Sequence, residues 1–412
     1  MSNENQHIPS GYKPSPLGII PEDWEVKRLG DVCTFHNGRA YSQKELLSSG
    51  KYRVLRVGNF FTNSSWYWSD MELENDKYAN NGDLLYAWSA SFGPRFWEGE
   101  KVIYHYHIWK IDSFKNISKE FLYSFLLFDA AMLTNTLQGG TMVHVTKENM
   151  EKRNIAIPSI IEQNKIVDLL SLWDTAIAKQ TALIEQLTLR KRGLMQQLLT
   201  GKKRLKGFEG EWKEVRLGEI GTAYGGLVNK NKEDFENGNA LFITYMNVFS
   251  NGKIDIDNLG QVRILTSEKQ EQVQYGDIFF TVSSETPDEV GMASVLLNEV
   301  QNTYLNSFCF GYRLNDFKTL VPEYASYLLR GDNFRRKMYT IAQGSTRFNI
   351  SKTEVLSMRI TIPSIEEQTA IASVLVDADK EIEIQKQKLA AMQAQKKGLM
   401  QVLLTGKKRV KL

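Results

Sequence analysis

Two stretches of the chain are almost the same: "KRGLMQQLLTGKKRL" at 191–205 and "KKGLMQVLLTGKKRV" at 396–410. A repeat on this scale constrains the fold more than any single motif, because each copy has to be a structural unit that buries a face of its own. The self-similarity runs through the whole chain. "WEVKRLGDV" (Trp24 to Val32) answers "WKEVRLGEI" (Trp212 to Ile220) at an offset of 188, which still holds where Asn59 falls on Asn247. The offset is 194 where Gly82 and Asp83 meet Gly276 and Asp277, and 205 from "QGGTMVHVTK" against "QGSTRFNISK" to the end. The length differences therefore lie inside each half, between framework motifs. This is the pattern of one architecture used twice, with its ends held alike and its middles free to diverge.

Each half changes character once. The globular parts, about Gly11 to Ile157 and Lys206 to Ile362, carry short apolar runs such as "YRVLRVGNFF", "LLYAWSA", "ALFITYMNV" and "DIFFTVSS". Runs of this length, bounded by Gly, Asn, Asp and Ser, favour strands. "KEFLYSFLLFDAAMLTNTL" and "VPEYASYLLRGDNFRRKMYTIA" read as helices, and the expected class is α+β. After each "IPS" the apolar residues step by four and three: Ile166, Leu170, Trp173, Ile177, Gln180, Ile184, Leu187, Lys191, Leu194 and Leu198, repeated as Ile371 to Leu403. These are heptad core positions. Ser159 with Glu162, and Ser364 with Glu367, form S-x-x-E starts, and Gly201 and Gly406 suit the stops.

The expected organisation is a globular domain at 1–157, a spacer helix at 158–205, a second globular domain at 206–362 and a second spacer helix at 363–412, a pseudo-twofold internal repeat. The two helices most simply bury their seams against each other. The intervening domain returns the chain to its starting end, so an antiparallel coiled coil is the economical layout; the other possibility is that each helix folds back on its own domain.

Chemistry of its own is hard to find in the chain. There is no G-x-G-x-x-G, no G-x-x-x-x-G-K-(S/T), no H-E-x-x-H and no amino-methyltransferase N/D-P-P-Y/F. Only Cys33 and Cys309 are present, without C-x-x-C spacing, so neither a disulfide framework nor a zinc cluster is expected. "HYH" puts His105 and His107 on one face of a possible strand, half a metal site with no third ligand, and no metal is expected. A net charge of +3 is compatible with nucleic acid without arguing for it. The N-terminal stretch shows no export signal and no apolar run is long enough for a bilayer, so the expected location is cytoplasmic.

The ordered pairs of W-x-x-(K/V)-x-L-G-(D/E)-(V/I), Q-G-(G/S)-T, I-P-S-I-x-E-Q and L-M-Q-x-L-L-T-G-K-K-R motifs resemble the specificity subunits of type I restriction-modification systems, over nearly the whole length. The resemblance implies two target recognition domains, each reading one half of a split double-stranded DNA sequence. It also implies helices that set the spacing and dock two modification (methyltransferase) subunits, with restriction subunits joining the full complex. Methyl transfer and cleavage would belong to those partners, as would S-adenosylmethionine, ATP and Mg; this chain would hold no cofactor and no catalytic residue.

The DNA-binding candidates are polar and basic residues of the framework motifs and loops. A Gly-rich turn lets backbone approach a phosphate, and Arg or Asn can engage base edges bidentately. In the first half these are Arg39, Arg56, Asn59, Arg95, Thr141, His144 and Lys147. In the second they are Lys230, Asn247, Arg263, Thr346, Arg347, Asn349 and Lys352. Trp66 and Trp68 of "SSWYW" are weaker candidates. Two alternatives are a coiled-coil scaffold that binds no DNA, and a stand-alone methyltransferase or nuclease with divergent motifs.

Overall fold

The computed structural model describes residues 8–61, 63–89, 92–136, 145–344 and 346–411. The chain divides into two compact units, residues 1–181 with 387–412 and residues 182–386. Each unit thus contains one globular part, the first turns of the long helix that comes after it, and the last turns of the other long helix. These helices span Ile160–Leu198 and Ile365–Leu403, 39 residues each.

The repeat seen in the sequence is a repeat of sheet topology. In the first unit an antiparallel sheet runs in the order Thr34–Asn37, Ile108–Asp112, Leu84–Ala87, Gly93–Phe96. In the second unit the order Gly221–Gly225, Cys309–Leu314, Ile278–Thr281, Ala293–Val295 is the same. A second sheet in each is built on one parallel pair, Tyr52–Leu55 with Val102–Tyr104, and Ala240–Ile243 with Thr303–Leu305. The "WEV" strand pairs with the "IAIP" strand, Glu25–Arg28 against Asn154–Ile157, and Lys213–Arg216 pairs likewise with Arg359–Ile362.

Local structure departs from the sequence reading in three places. "YRVLRVGNFF" and "ALFITYMNV" are strands only in their first halves; Val57–Phe61 and Tyr245–Ser250 are short helices. The long helical candidate of the second half breaks into Pro322–Leu328 and Asp332–Ile341, with Gly331 as the cap of the latter. His105 and His107 lie in the turn between Val102–Tyr104 and Ile108–Asp112 and not on a strand face.

All twenty heptad positions are buried or half-buried. In the first unit Ile166 and Leu170, at the start of one helix, share a core with Met400 and Leu403 at the end of the other, and with Trp24 and Phe121 of the globular part. In the second unit Ile371 and Leu375 pack with Leu198 and with Tyr324 and Phe334. The helices are antiparallel, and each helix start also docks on its own domain, so both layouts open at the sequence level are realised together.

The paired motifs explain themselves as a clamp. Gln163 and Gln368 are fully buried. Gln163 Oε1 accepts from the Ser118 N–H at 2.7 Å while Nε2 donates to the Asn116 and Pro158 carbonyls; Gln368 does the same to Val321, Thr319 and Pro363. Glu162 and Glu367 do not complete their capping boxes. Ser159 and Ser364 accept from the Glu N–H groups as caps do, but the carboxylates turn inward, to Arg409 and Trp24 Nε1 in one unit and to Arg204 in the other. Gly201 and Gly406 stop the helices at φ near +70°, each accompanied by a six-residue return bond, Lys203 N–H to Gln197 O and Lys408 N–H to Val402 O. A Cβ at Gly406 would lie 2.6 Å from Pro21 and 3.2 Å from the Trp24 ring, so any side chain there opens the clamp.

Among the described residues no helix is long and apolar enough to cross a membrane. Cys33 and Cys309 are buried and unpaired, and burial pushes both thiols up to about 12, which leaves no thiolate for chemistry near neutral pH.

Candidate nucleic-acid interface

In the second unit four segments converge at one corner: the helix Tyr245–Ser250, the strand Ser283–Ser284, its partner Phe348–Asn349 in the Q-G-S-T segment, and the turn Asn306–Phe308. Asn306 is buried and holds the turn, donating to the Ile243 carbonyl at 3.0 Å and accepting from the Phe308 N–H at 2.9 Å. The Phe308 carbonyl accepts from the Val282 N–H at 3.1 Å. With its backbone fixed at both ends, the Phe308 side chain is still 62% exposed, and Met246 beside it is 59% exposed. Arg347 Nη2 donates to Ser283 Oγ at 3.0 Å, and the Tyr245 hydroxyl donates to the Ser283 carbonyl at 2.9 Å. Together with Thr346, Phe249, Glu285 and Glu289 these residues line a depression of about 840 Å³.

Two arginines brace its walls from behind. Arg330 donates to the carbonyls of Ala293, Val248, Phe249 and Asn251, tying down the end of the Tyr245–Ser250 helix. Arg335 donates to the carbonyls of Asp288, Val290 and Gly291, tying down the loop that carries Glu285 and Glu289. Burial lowers both guanidinium pKa values, that of Arg330 to about 10, so both stay charged near neutral pH while saturated by carbonyls. The corresponding helix of the first unit, Lys119–Thr136, carries no arginine and no lysine beyond its first residue, so this bracing belongs to the second domain.

The same corner in the first unit carries different chemistry. The turn is His105-Tyr106-His107, with Tyr106 39% exposed and its carbonyl accepting from Trp88 Nε1 at 2.8 Å. The His105 and His107 rings are 4.9 Å apart, and burial, then His107 and Arg56, lower His105 to about 4, so it is neutral near pH 7. Among the described residues no cluster of three or more His, Cys, Asp or Glu could hold a metal ion. Asn59 and Arg95 come together in a neighbouring depression with Phe60 and Tyr123, the Arg95 guanidinium 5.3 Å from the Phe61 ring centre.

The other candidates divide into available and committed groups. Arg56 is exposed over Tyr67, Asn349 is exposed on its strand, and Lys352 is exposed in the first turn of the helix Lys352–Ser357. Lys147, half-buried, sits 3.5 Å from Glu151 one turn on. Arg39 is held by Glu45 at 2.6 Å and lies over Tyr41. Lys230 is almost fully buried on Glu268 and the Arg263 carbonyl, and Arg263 is paired with Asp234. Asn247 is 2% exposed and spends its whole amide on the Asp255–Asn258 loop and Asn251. Lys230 and Asn247 therefore build the domain and face no ligand, because the turns they close would otherwise bury unpaired polar groups. Trp66 and Trp68 are half-buried around Arg53. Thr141 and His144 lie outside the described residues. The sequence reading missed Phe308 and Tyr106, for which the signal available was an aromatic in the turn that leads into a strand, and Met246, which lies in a short helix and carried no such signal.

Comparison with known proteins agrees with this architecture. The model of the type I restriction modification DNA specificity domain matches twice, over residues 21–189 and 209–394. The MjaVIII type I restriction enzyme specificity subunit of Methanocaldococcus jannaschii is 28% identical, over 95% of this chain and 94% of its own. The putative MjaX specificity subunit of the same organism is 26% identical, over 97% of each. A chain from a structure of complex assembly and conformational transition of the type I R-M system shares the fold with a TM-score of 0.63 at 18% identity, over 93% of this chain and 98% of that one. The S subunit from M. genitalium does so with a TM-score of 0.51 at 15% identity, over 92% and 96%. With one matched domain in each half, the chain belongs to the type I restriction-modification DNA specificity subunits.

Proposed function

We propose that each unit reads one half of a bipartite duplex DNA target, and that the long helices set the gap between half-sites and dock two modification subunits. The observation that carries this reading is the same four-stranded sheet order beside two different corners, Asn306-Ser307-Phe308 with Arg347 in one and His105-Tyr106-His107 in the other. A fixed frame with a variable corner is what two readers of different base sequences require. Methyl transfer and cleavage, with S-adenosylmethionine, ATP and Mg, belong to the modification and restriction subunits, and this chain works with them in the cytoplasm without a cofactor of its own. The M. jannaschii relatives, named as specificity subunits, support the assignment.

The test is an exchange of residues 30–141 for the matching region of a relative, with mapping of methylated adenines in cells that make the whole complex. One half of the methylated motif changes and the other stays. A change in both halves, or in neither, would overturn independent reading. Binding of the complex to duplex DNA also weakens steeply with salt; a flat salt response favours the scaffold alternative.

A further inference from the structure

The corner of the second domain has a feature that phosphate contact does not explain: its arginine is set among apolar side chains and carboxylates. Arg347 forms no ion pair among the described residues, yet Glu285 and Glu289 line the same depression. Both carboxylates are exposed, and Glu289 accepts from the Thr286 hydroxyl at 2.7 Å. A phosphate seated there would meet two carboxylates, and like charges repel. A base edge carries no net charge and suits the same lining.

We infer that Arg347 reads a guanine of the second half-site in the major groove, with Glu285 accepting from the exocyclic amine of the paired cytosine and Phe308 with Met246 against the methyl group of a neighbouring thymine. The chemistry matches group by group. A guanidinium fork donates to guanine O6 and N7, a carboxylate accepts from cytosine N4, and apolar side chains meet the thymine methyl. The two groups are also held by neighbouring residues, Phe308 through its carbonyl by the Val282 N–H and Arg347 through its guanidinium by Ser283 Oγ, and both line the same depression. The reader is also rigid. Asn306 fixes the turn under Phe308, Ser283 Oγ orients the guanidinium, and Arg330 and Arg335 hold the two walls, so little ordering remains to be done on binding.

This inference rests on the half-site reading, and the experiment separates the two. The complex of this chain with its modification subunits is offered its mapped target and targets with each base of the second half-site replaced. The wild-type complex requires a guanine there, and replacing that guanine by 7-deazaguanine, which lacks the N7 acceptor, weakens binding roughly 10-fold. Arg347→Ala loses discrimination at that position, by roughly 10- to 100-fold, is indifferent to 7-deazaguanine, and keeps its first half-site, which reports that the chain is folded. Replacing the neighbouring thymine by deoxyuridine, which lacks the methyl group, weakens the wild type and leaves Phe308→Ser unaffected. If Arg347→Ala does not fold, the two modified bases on the wild type decide alone. Equal weakening on every sequence would make Arg347 a phosphate contact and overturn the inference, as would a second half-site without guanine. If no base of the second half-site matters to the wild type, the half-site reading itself fails.

Discussion

Arg409 and Glu162 are 247 residues apart in the sequence and joined in the structure: the guanidinium donates to the two carboxylate oxygens at 3.1 and 2.7 Å, and Glu162 is fully buried. Arg204 and Glu367 repeat the pairing at 2.5 and 2.6 Å. The Arg of each "GKKR" is thus the counter-ion of the Glu that opens the other long helix, which accounts for why both helices end in the same words. Helix-end charge favoured by the helix dipole, the simplest reading of the repeated basic tail, is left to the exposed lysines at 202, 203, 407 and 408.

Reversing one partner at a time places like charges side by side, one of them at the buried position 162. Glu162→Arg and Arg409→Glu should each lower the melting temperature sharply. The double reversal should recover part of the loss, with a coupling of about 1–3 kcal/mol. Recovery stays incomplete because a carboxylate at position 409 would face Asp23, which the native Arg409 also holds at 2.8 Å, and because Trp24 Nε1 loses its acceptor. A strictly additive pair of losses would show that the clamp does not couple the helices.

Asn247 is a structural amide, and Asn59 too donates to loop backbone, to the Asn63 and Ser65 carbonyls at 3.2 and 2.6 Å. It aligns with Asn59 and carries a residue type suited to adenine, but its carboxamide is closed on loop backbone. Asn247→Ala should cost about 1–2 kcal/mol of stability by denaturant unfolding, since a buried side chain is cut back and the Asp255–Asn258 loop loses its hydrogen bonds to it. The methylated motif should keep its bases in the fraction that folds. A relaxed motif from a stable variant would return Asn247 to the reading surface.

The framework was legible because it is written twice: Trp24 with Trp212, Gly82-Asp83 with Gly276-Asp277, and the heptads from Ile166 and Ile371 each gave a position tested by its copy. The Gly-Asp pairs turn out to close a turn, the Asp carboxylates accepting from the N–H groups of Asn80 and Gln274 at 2.9 Å. The corner was not legible in the same way. Phe308 sits in an apolar run, "FCFGY", whose neighbours Cys309 and Phe310 are core, and only the turn held by Asn306 directs it outward. Lys230 and Arg263 look like free cations in sequence because Glu268 and Asp234, which pair with them, are set by tertiary folding across loops. Burial and ion pairing, and not residue type, separate the available groups from the committed ones.

His105 makes stability depend on pH in a stated direction. Its folded pKa is about 4 and its ordinary value is 6.5, so between these values the unfolded chain binds the proton and the folded chain does not. Stability is therefore complete above about pH 6.5 and is lost as pH falls toward 4. For a half-buried ring the loss is about 1–2 kcal/mol after solvent screening. His105→Asn, which installs the residue of the equivalent turn in the second unit, should remove this dependence. Urea unfolding of both forms at pH 7 and 4.5 gives the difference; equal slopes with pH would mean that the ring is protonated in the folded state.

The long helices offer a test of measurement along DNA. A residue added to Ile160–Leu198 lengthens the helix by about 1.5 Å and rotates the downstream part of the helix by about 100°, so it moves every later heptad residue off the seam that Leu187 and Leu198 occupy. Four residues add about 6 Å and come within about 40° of a full turn, returning apolar residues close to their side of the seam. Base pairs are about 3.4 Å apart along the duplex. Four residues duplicated after Gln180 should therefore leave both half-sites intact and lengthen the unread gap between them by about one or two base pairs. A one-residue insertion should abolish methylation. Mapping the methylated motif of each variant gives the answer, and an unchanged gap in a fully active four-residue variant would mean that the helices do not set the spacing.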